Sequence, residues 1–384
     1  YLSNKKFKIK VVEKTIFPRF VIGESLLPRC MDHFDEVGLL DSLISQNFEV
    51  KRGVRFIKNK KFSDFLFNDK FTEGWEWTWQ APRADFDNVL ANEIISKGVD
   101  VAFNNEVIRV DFDNSGNSIT TIIDENDKTY KIKAKYIIDS SGYGRVLPKL
   151  LNLIKPPENT GYCTIFSHIK LKSEENFFRN TTIHSIDDNI WGWEIPFSNG
   201  IISMGFTGRS DYFEDYGASL KDKFFKLLEI TFNNETYKNA ELVIEPIEIK
   251  NYSKAVKNLY GKGYVLTGNS AEFLDPIFSS GVTLATESGL LAAKLIEKEL
   301  SGKPVNWESE YSDYLSKGVD VFRTYVNEWY SGKLKTIFFS DRTNPIFKKQ
   351  ITSVLAGYVW DDSNPFVSKH KKIINNLAHI ISMD

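Results

Sequence analysis

Cysteine is almost missing from this chain: Cys30 and Cys163 are the only two among 384 residues. Two cysteines cannot build the multi-bridge framework of a small secreted domain, and they fit a reducing compartment, so a cytoplasmic protein is expected. Histidine is scarce too. The five histidines are scattered, with neither an H-x-x-x-H spacing nor a Cys/His cluster, and a protein-bound metal is not expected. Charge of neither sign prevails, since 49 Lys+Arg oppose 51 Asp+Glu. A nucleic acid or an anionic membrane surface would call for clustered positive charge, so neither is expected as a partner. No apolar run approaches the ~20 residues that span a bilayer, and the opening YLSNKKFKIKVVEK lacks the apolar core of a secretory signal. Stable membrane insertion is therefore excluded as an expectation. Also missing is a G-x-G-x-x-G turn following a strand.

What is abundant is aromatic surface, at 14% of residues, including 29 Phe, 16 Tyr and 8 Trp. Flat rings suit either an aromatic-rich core or a planar ligand, and composition favours the first. The length allows two lobes better than one core.

Along the chain, Lys8 to Val12 (KIKVV) is a short β-rich run ending at Glu13, preceded by a small amphipathic fragment, Tyr1 to Asn4. It reads as the second strand of a dinucleotide-binding βαβ unit, with Glu13 placed for a ribose hydroxyl. The phosphate-binding glycine turn of such a unit lies about 20 residues earlier, which would put it before residue 1 and truncate the first βα unit. Apolar residues recur at helical spacing from Ser25 to Ser45. Val50 to Trp79 is strand-rich, with Trp75, Trp77 and Trp79 alternating as on one strand face. Asp85 to Lys97 reads as a helix stopped by Gly98. Val99 to Ile138 reads as a β-meander, residues 161 to 210 as strands, and Tyr212 to Thr231 as a helix. A strand at Val265 to Thr267 leads toward a helix near Val282 to Leu300, and the last ~80 residues are helical by their apolar periodicity. The fold class is α/β: a Rossmann-like lobe, a β-sheet lobe and a helical C-terminal region.

The most informative stretch is GKGYVLTGNSAEFLDPIFSSGVTLATESGLLAAKL, Gly261 to Leu295. A strand ends at Gly268, a loop carries Pro276, and a helix starts around Ser280. The first N–H groups of that helix and its positive dipole end suit a phosphate, a flavin carbonyl or a halide, and Gly281 allows close approach. An ordinary helix start reads equally well from these residues alone. Its form nevertheless resembles the second FAD motif of the aromatic-hydroxylase and halogenase superfamily, and FLDPIFSSGV resembles the F-x-x-P-x-x-S-x-G element of flavin-dependent halogenases. FPRFVIGESLLP (Phe17 to Pro28), PRADFDNVL around Arg83, and DSSGYGR (Asp139 to Arg145) are similar to further segments of that family. WGWEIP (Trp191 to Pro196) matches its W-x-W-x-I-P pattern, and FEVKRGVRF resembles the segment that carries its catalytic lysine.

The resemblance implies FAD as cofactor, held by Glu13, Arg19, Glu24, Ser25, Arg83, Asn269, Asp275, Pro276, Gly281 and Val282. Asn269 stands where the family usually has Asp, which keeps a hydrogen-bonding side chain but removes a charge. The family pattern places a halide at Ser280 and Gly281, and lines a tunnel with Trp191, Trp193 and Pro196, which keeps the organic substrate from the flavin. Lys51 and Ser279 take the catalytic positions. A separate reductase supplies reduced FAD, chloride or bromide is oxidised to hypohalous acid, and the Lys51 amine directs it to an electron-rich aromatic ring. Tryptophan halogenases carry a glutamate just before the Ser-[Ser/Thr]-Gly step, whereas this chain has Phe278, a departure pointing to a phenolic or carrier-bound substrate. The expected division is a FAD-binding lobe of residues 1–50, 81–160 and 255–300, a substrate lobe of 51–80 and 161–254, and a helical region of 301–384. Two rival readings stand beside this one. The first is a FAD-dependent monooxygenase or an enzyme resembling geranylgeranyl reductase, without halogenation. The second is a non-catalytic flavoprotein-like binding protein.

Overall fold

Two kinds of sheet organise the chain, and the difference follows from how the strands are connected. A computed structural model describes residues 1–156, 161–172, 178–232, 237, 239–250, 255–342 and 344–383. Strand β1 (Lys10–Val12) comes first, followed by the helices Arg29–Glu36 and Leu40–Ile44. Pro28 precedes the first helix, and Gly38, at φ 69°, breaks the helical spacing of 25–45 into these two pieces. Next come β2 (Glu49–Lys51), β3 (Gly53–Lys58), β4 (Lys61–Leu66) and β5 (Thr78–Gln80). The helix Arg83–Ser96 then leads to β6 (Asp100–Ala102), the meander β7 (Glu106–Phe112), β8 (Ser118–Ile123) and β9 (Thr129–Ala134), and β10 (Ile137–Asp139).

The long strands follow: β11 (Tyr162–Lys170), β12 (Thr181–Ser185), β13 (Trp191–Pro196) and β14 (Ile201–Arg209). The helical stretch of 212–231 is divided at Gly217 into a 3-10 turn, Ser210–Tyr216, and the helix Leu220–Phe232. Short strands β15 (Glu241–Leu242), β16 (Ile247–Lys250), β17 (Tyr260–Gly261) and β18 (Tyr264–Leu266) precede the long helix Ser280–Leu300. The remainder is helical, principally Asp313–Tyr330, Lys333–Phe338, Pro345–Leu355 and His370–Ser382.

In the Rossmann-like lobe the short pairs β1 with β6 and β10 with β18 are parallel, which requires crossover connections. The second lobe is built on an eight-stranded sheet in the order β15-β11-β14-β13-β12-β3-β4, with β16 also paired to β11. The hairpin β3–β4 thus joins strands more than a hundred residues later, through a parallel contact of β3 with β12. Residues 160 and 254, where the lobes were expected to meet, lie outside the described residues. Among the described residues no helix is long and apolar enough to cross a membrane.

One expectation fails locally. Trp75 and Trp77 do not lie on a strand; only Trp79 does, in β5. The Trp75 N–H donates to the Tyr358 hydroxyl at 2.8 Å, and Gly74, at φ 128°, is pressed against the same ring. A partner from the C-terminal region takes the N–H that a neighbouring strand would have used. The three indoles still associate, edge to face, with centroids 5.6 and 5.3 Å apart.

The largest apolar cluster ties the eight-stranded sheet to the C-terminal helices. Phe56, Phe65, Trp191 and Trp193 from the sheet meet Phe278, Tyr325, Trp329 and Phe338. Many of the abundant aromatics are therefore core.

Candidate active site

Strand β2 delivers Lys51 into the interior. Its antiparallel partner is β5, with Lys51 opposite Thr78, and the bridge from Ser25 to Gln80 sets the 23–26 turn along the same strand. The Lys51 side chain is 1% exposed. Its Nζ donates to Ser25 Oγ at 2.8 Å and to the Leu26 carbonyl at 2.9 Å, and lies 5.5 Å from the Phe67 ring centroid. All of these neighbours are neutral. Burial therefore acts almost unopposed and brings the amine down to about 7. An amine with that pKa is substantially neutral, and so nucleophilic, near neutral pH.

Ser25 joins the lysine to the 275–281 loop. Asp275 caps the short turn Pro276–Phe278 by accepting from Ile277 N at 3.1 Å, with Pro276 at the first helical position. Ser279 follows in the left-handed region, at φ 55° and ψ 28°. That sharp turn redirects the chain into the helix Ser280–Leu300 and brings Ser279 Oγ to 3.1 Å from Ser25 Oγ. The helix start has no side-chain cap, so its first N–H groups are offered outward. A Cβ placed on Gly281 would meet nothing within 4 Å, so there is open space beside those amides. Asn269, in the turn Gly268–Ser270, stands at the end of β18.

A second group gathers around Arg19 and Arg83. Glu13 accepts from Thr15 N and Oγ1 at 2.9 and 2.8 Å, while Arg19 lies 3.9 Å from Glu13 and 3.6 Å from Asp87. Arg83 pairs bidentately with Asp87 and donates to the Gly23 carbonyl at 3.3 Å. Gly23, at φ 110°, sits so near that a Cβ there would meet Arg83 Nη1 at 3.4 Å. Glu24 is turned inward: 1% exposed, it bonds His168 Nε2 at 2.6 Å through Oε1, and its Oε2 is buried without a hydrogen bond. Acid, arginines, outward amides and open space are the donor set a dinucleotide-linked flavin needs, and these residues fit one.

The tryptophans of β13 lie in the core beside the 275–281 loop. Trp191 and Trp193, on one face of β13, are buried with rings 5.9 Å apart. Gly205 makes room for Trp193, since a Cβ there would overlap the indole. Trp191 Nε1 donates to the Tyr330 hydroxyl at 3.0 Å, and that hydroxyl donates to Asp275 Oδ2 at 2.9 Å. Trp191 is thereby tied to the loop. Pro196 ends β13, and its carbonyl accepts from Gln80 Nε2 at 2.6 Å. Phe278 is buried against Phe56, Tyr325 and Trp329, which places an apolar ring where tryptophan halogenases are expected to carry a carboxylate.

Sequence reasoning missed Gln80, Thr181, Thr78, His168 and Tyr330. Each is a single polar residue on a strand or a late helix with no motif around it, so only pairing across the fold reveals it.

Comparison with known proteins decides the family. The family profile described as tryptophan halogenase matches residues 57–380. The chain belongs to this family. It is accordingly an FAD-dependent oxidoreductase, of a class that halogenates aromatic substrates with FAD and a halide. Such chemistry calls for a substrate and a supply of reduced flavin as partners. Two relatives of this halogenase-family chain are instructive. The 1H-pyrrole-2-carbonyl-[peptidyl-carrier protein] chlorinase of Pseudomonas fluorescens is 24% identical, over 100% of this chain and 89% of its own length. The corresponding brominase of Pseudoalteromonas luteoviolacea is 26% identical, over 93% and 88%. Among solved structures, a flavoprotein/dehydrogenase from Cytophaga hutchinsonii is 46% identical with a TM-score of 0.97, over 100% of this chain and 95% of that one. A flavin-dependent brominase shares the fold at a TM-score of 0.82 and 23% identity, over 99% of this chain and 94% of that one.

Proposed function

We propose that this protein halogenates a phenol or a carrier-bound pyrrole, with Lys51 as the amine that delivers the halogen. The observation that carries this reading is a fully buried lysine whose partners are all neutral, linked through Ser25 to the loop that opens the helix at Ser280. Glu13, Arg19, Glu24, Ser25, Arg83, Asn269, Asp275, Pro276, Gly281 and Val282 would hold FAD, in a lobe formed by 1–50, 81–160 and 255–300. Reduced FAD and dioxygen supply the oxidising power that turns halide into hypohalous acid. The chain's own residues do the rest. Ser280 and Gly281 offer backbone amides to the halide, and Ser279 holds the Ser25 end of the hydrogen-bonded chain. Trp191, Trp193 and Pro196 separate the aromatic substrate from the flavin, and the rest of the substrate lobe, 51–80 and 161–254, encloses it. Lys51, whose neutral form is well populated near pH 7, presents a lone pair to the electrophilic halogen and orients it toward the ring.

The carrier-bound pyrrole is favoured over free tryptophan by the pyrrolyl-carrier specificity of the two relatives and by Phe278. The experiment combines the purified chain with FAD, a flavin reductase, bromide, a panel of phenols and a pyrrolyl carrier protein. Brominated product is expected from at least one phenol or from the carrier. Hydroxylated or reduced product without bromine would favour the monooxygenase or reductase reading instead. The flavoprotein/dehydrogenase likeness is the observation that keeps that second reading in play.

A further inference from the structure

The hydrogen bonds around Lys51 have a direction, and the direction can be read from Gln80. Gln80 is fully buried on β5. One atom of its amide meets two backbone carbonyls, Pro196 O at 2.6 Å and Arg179 O at 3.4 Å. Carbonyls only accept, so that atom is the NH2 group and the other, Oε1, is an acceptor. Thr181 Oγ1, 3.0 Å from Oε1, must therefore donate to it. A hydroxyl has one proton, so Thr181 is left to accept from Ser25, 2.8 Å away. Ser25 thus spends its proton on Thr181, and its two lone pairs receive Lys51 Nζ and Ser279 Oγ. Every position on Ser25 is filled, and none can donate toward the lysine.

We infer that Gln80 and Thr181 are positioning residues that polarise this chain so that the neutral Lys51 amine keeps its lone pair free. A neutral amine has two N–H bonds, and here both are committed, to Ser25 Oγ and to the Leu26 carbonyl. The lone pair is left in the remaining tetrahedral direction, where no Ser25 proton can occupy it. Thr78, paired with Lys51 across β2 and β5, has a fully buried hydroxyl with no hydrogen-bond partner. Reversing the chain would close the site. If Thr181 lost its acceptor, its proton could turn to Ser25, and the Ser25 proton to the lysine nitrogen. The amine would remain neutral and buried but engaged.

This inference rests on the reading of Lys51 as the working amine, and its test measures that amine directly. Cyanate is a small probe: the neutral nitrogen adds through its lone pair to the carbon of isocyanic acid, and a proton shift completes the urea. Full-length wild type, Gln80→Met, Thr181→Val and Thr181→Ser are treated across a pH series, and the carbamylation rate at Lys51, quantified by peptide mass spectrometry, is divided by the isocyanic acid concentration at each pH, so that it levels off once the amine is neutral. Wild type and Thr181→Ser, which retains the relaying hydroxyl, are expected to react alike. Gln80→Met and Thr181→Val are expected to fall by ~10-fold at the high-pH plateau, the worth of one hydrogen bond held on the lone pair. Thr181→Val changes shape least, so it carries the test if Gln80→Met fails to fold. Equal plateaus for Thr181→Val and Thr181→Ser would overturn the inference and leave the Lys51 reading intact. No modification of Lys51 in wild type, with exposed Lys303 modified in the same sample, would overturn both.

Discussion

Two lysines in this molecule are buried to almost the same degree, and they are built for different ends. Lys51 is 1% exposed and Lys335 is 4% exposed. Lys335 lies over the Trp329 ring at 5.4 Å, but its nitrogen reaches outward to the carbonyls of Asp187 and Asp188 and to the exposed Asp188 carboxylate at 3.6 Å. It lines an open cleft of about 380 Å³ together with Lys58, Gly332 and Phe339. Burial lowers its pKa, and the neighbouring carboxylate partly offsets that. Lys51 has no such relief, since its hydrogen-bond acceptors are a hydroxyl and a carbonyl. Burial by itself does not make a reactive amine. Burial among neutral acceptors favours the neutral form, because the charged form loses its hydration and gains no counter-charge.

The sharpest way to break this comparison is to remove each nitrogen in turn. Lys51→Met is expected to lower bromination by about 1000-fold, roughly 4 kcal/mol of transition-state stabilisation. Lys335→Met should leave turnover within about 3-fold. Flavin binding, followed by fluorescence quenching, should hold in both. Comparable losses in the two variants would dissolve the distinction.

The next effect concerns the nearby carboxylate. Glu287 lies on the same helix as Thr283, which bonds Cys30 at 3.2 Å, yet it is fully engaged elsewhere. Burial alone would raise its pKa, but hydrogen bonds from His33 at 2.8 Å and from Arg29 at 2.9 and 3.3 Å outweigh it and hold the carboxyl at about 2. Tyr314 donates to it as well, at 2.8 Å. Glu287→Gln should destabilise the fold by about 3 kcal/mol in urea unfolding at pH 7, because Arg29 and His33 lose their partner. The group's folded pKa is depressed, so its stabilising contribution is present above the ordinary carboxylate range and is lost as pH falls toward 2. The deficit of the variant should shrink over that window.

A gentler test uses pH on Lys51 itself. Its folded pKa, about 7, is lower than the ordinary value of 10.5. Between these values the unfolded chain binds a proton that the folded chain does not, so stability due to this group rises with pH across that range. Relative to wild type, Lys51→Met should therefore lose ground as pH increases from 7 to 10.5, measured as the difference in thermal midpoints. A pH-independent difference would mean that the amine is not desolvated. Smallest is Tyr330→Phe, which cuts the link from Trp191 to Asp275 and should cost about 1 kcal/mol. It should also raise the ratio of hydrogen peroxide to halogenated product if Trp191 is held in place by that link.

Much of this was legible without a structure, and the boundary is physical. The short strand at KIKVV, the helix that starts at Arg83, the meander between 106 and 134 and the long helix after SSGV all follow from local alternation, caps and turn residues, whereas the strands at 100–102 and 137–139, expected in the same meander, pair in parallel with β1 and β18. Trp75 and Trp77 were misplaced because Tyr358, almost three hundred residues away, takes the backbone N–H that an alternating pattern assigns to a strand. Lys51, Ser279, Ser280 and Gly281 stood out because they sit in contiguous motifs. Gln80 and Thr181 did not. They are ordinary polar residues, and a hundred residues separate them.

The order of residues alone determined the element types, the family-like loop from Asp275 to Val282 and the choice of a lysine at position 51, since these depend on neighbours within a few positions. Tertiary structure decided that this lysine would be dry, that its companions would be neutral, and which way their protons would point. Those properties belong to no segment. They arise where β2, β5, β12 and the 275–281 loop close on one another, and desolvation and hydrogen-bond direction exist only once that closure excludes water.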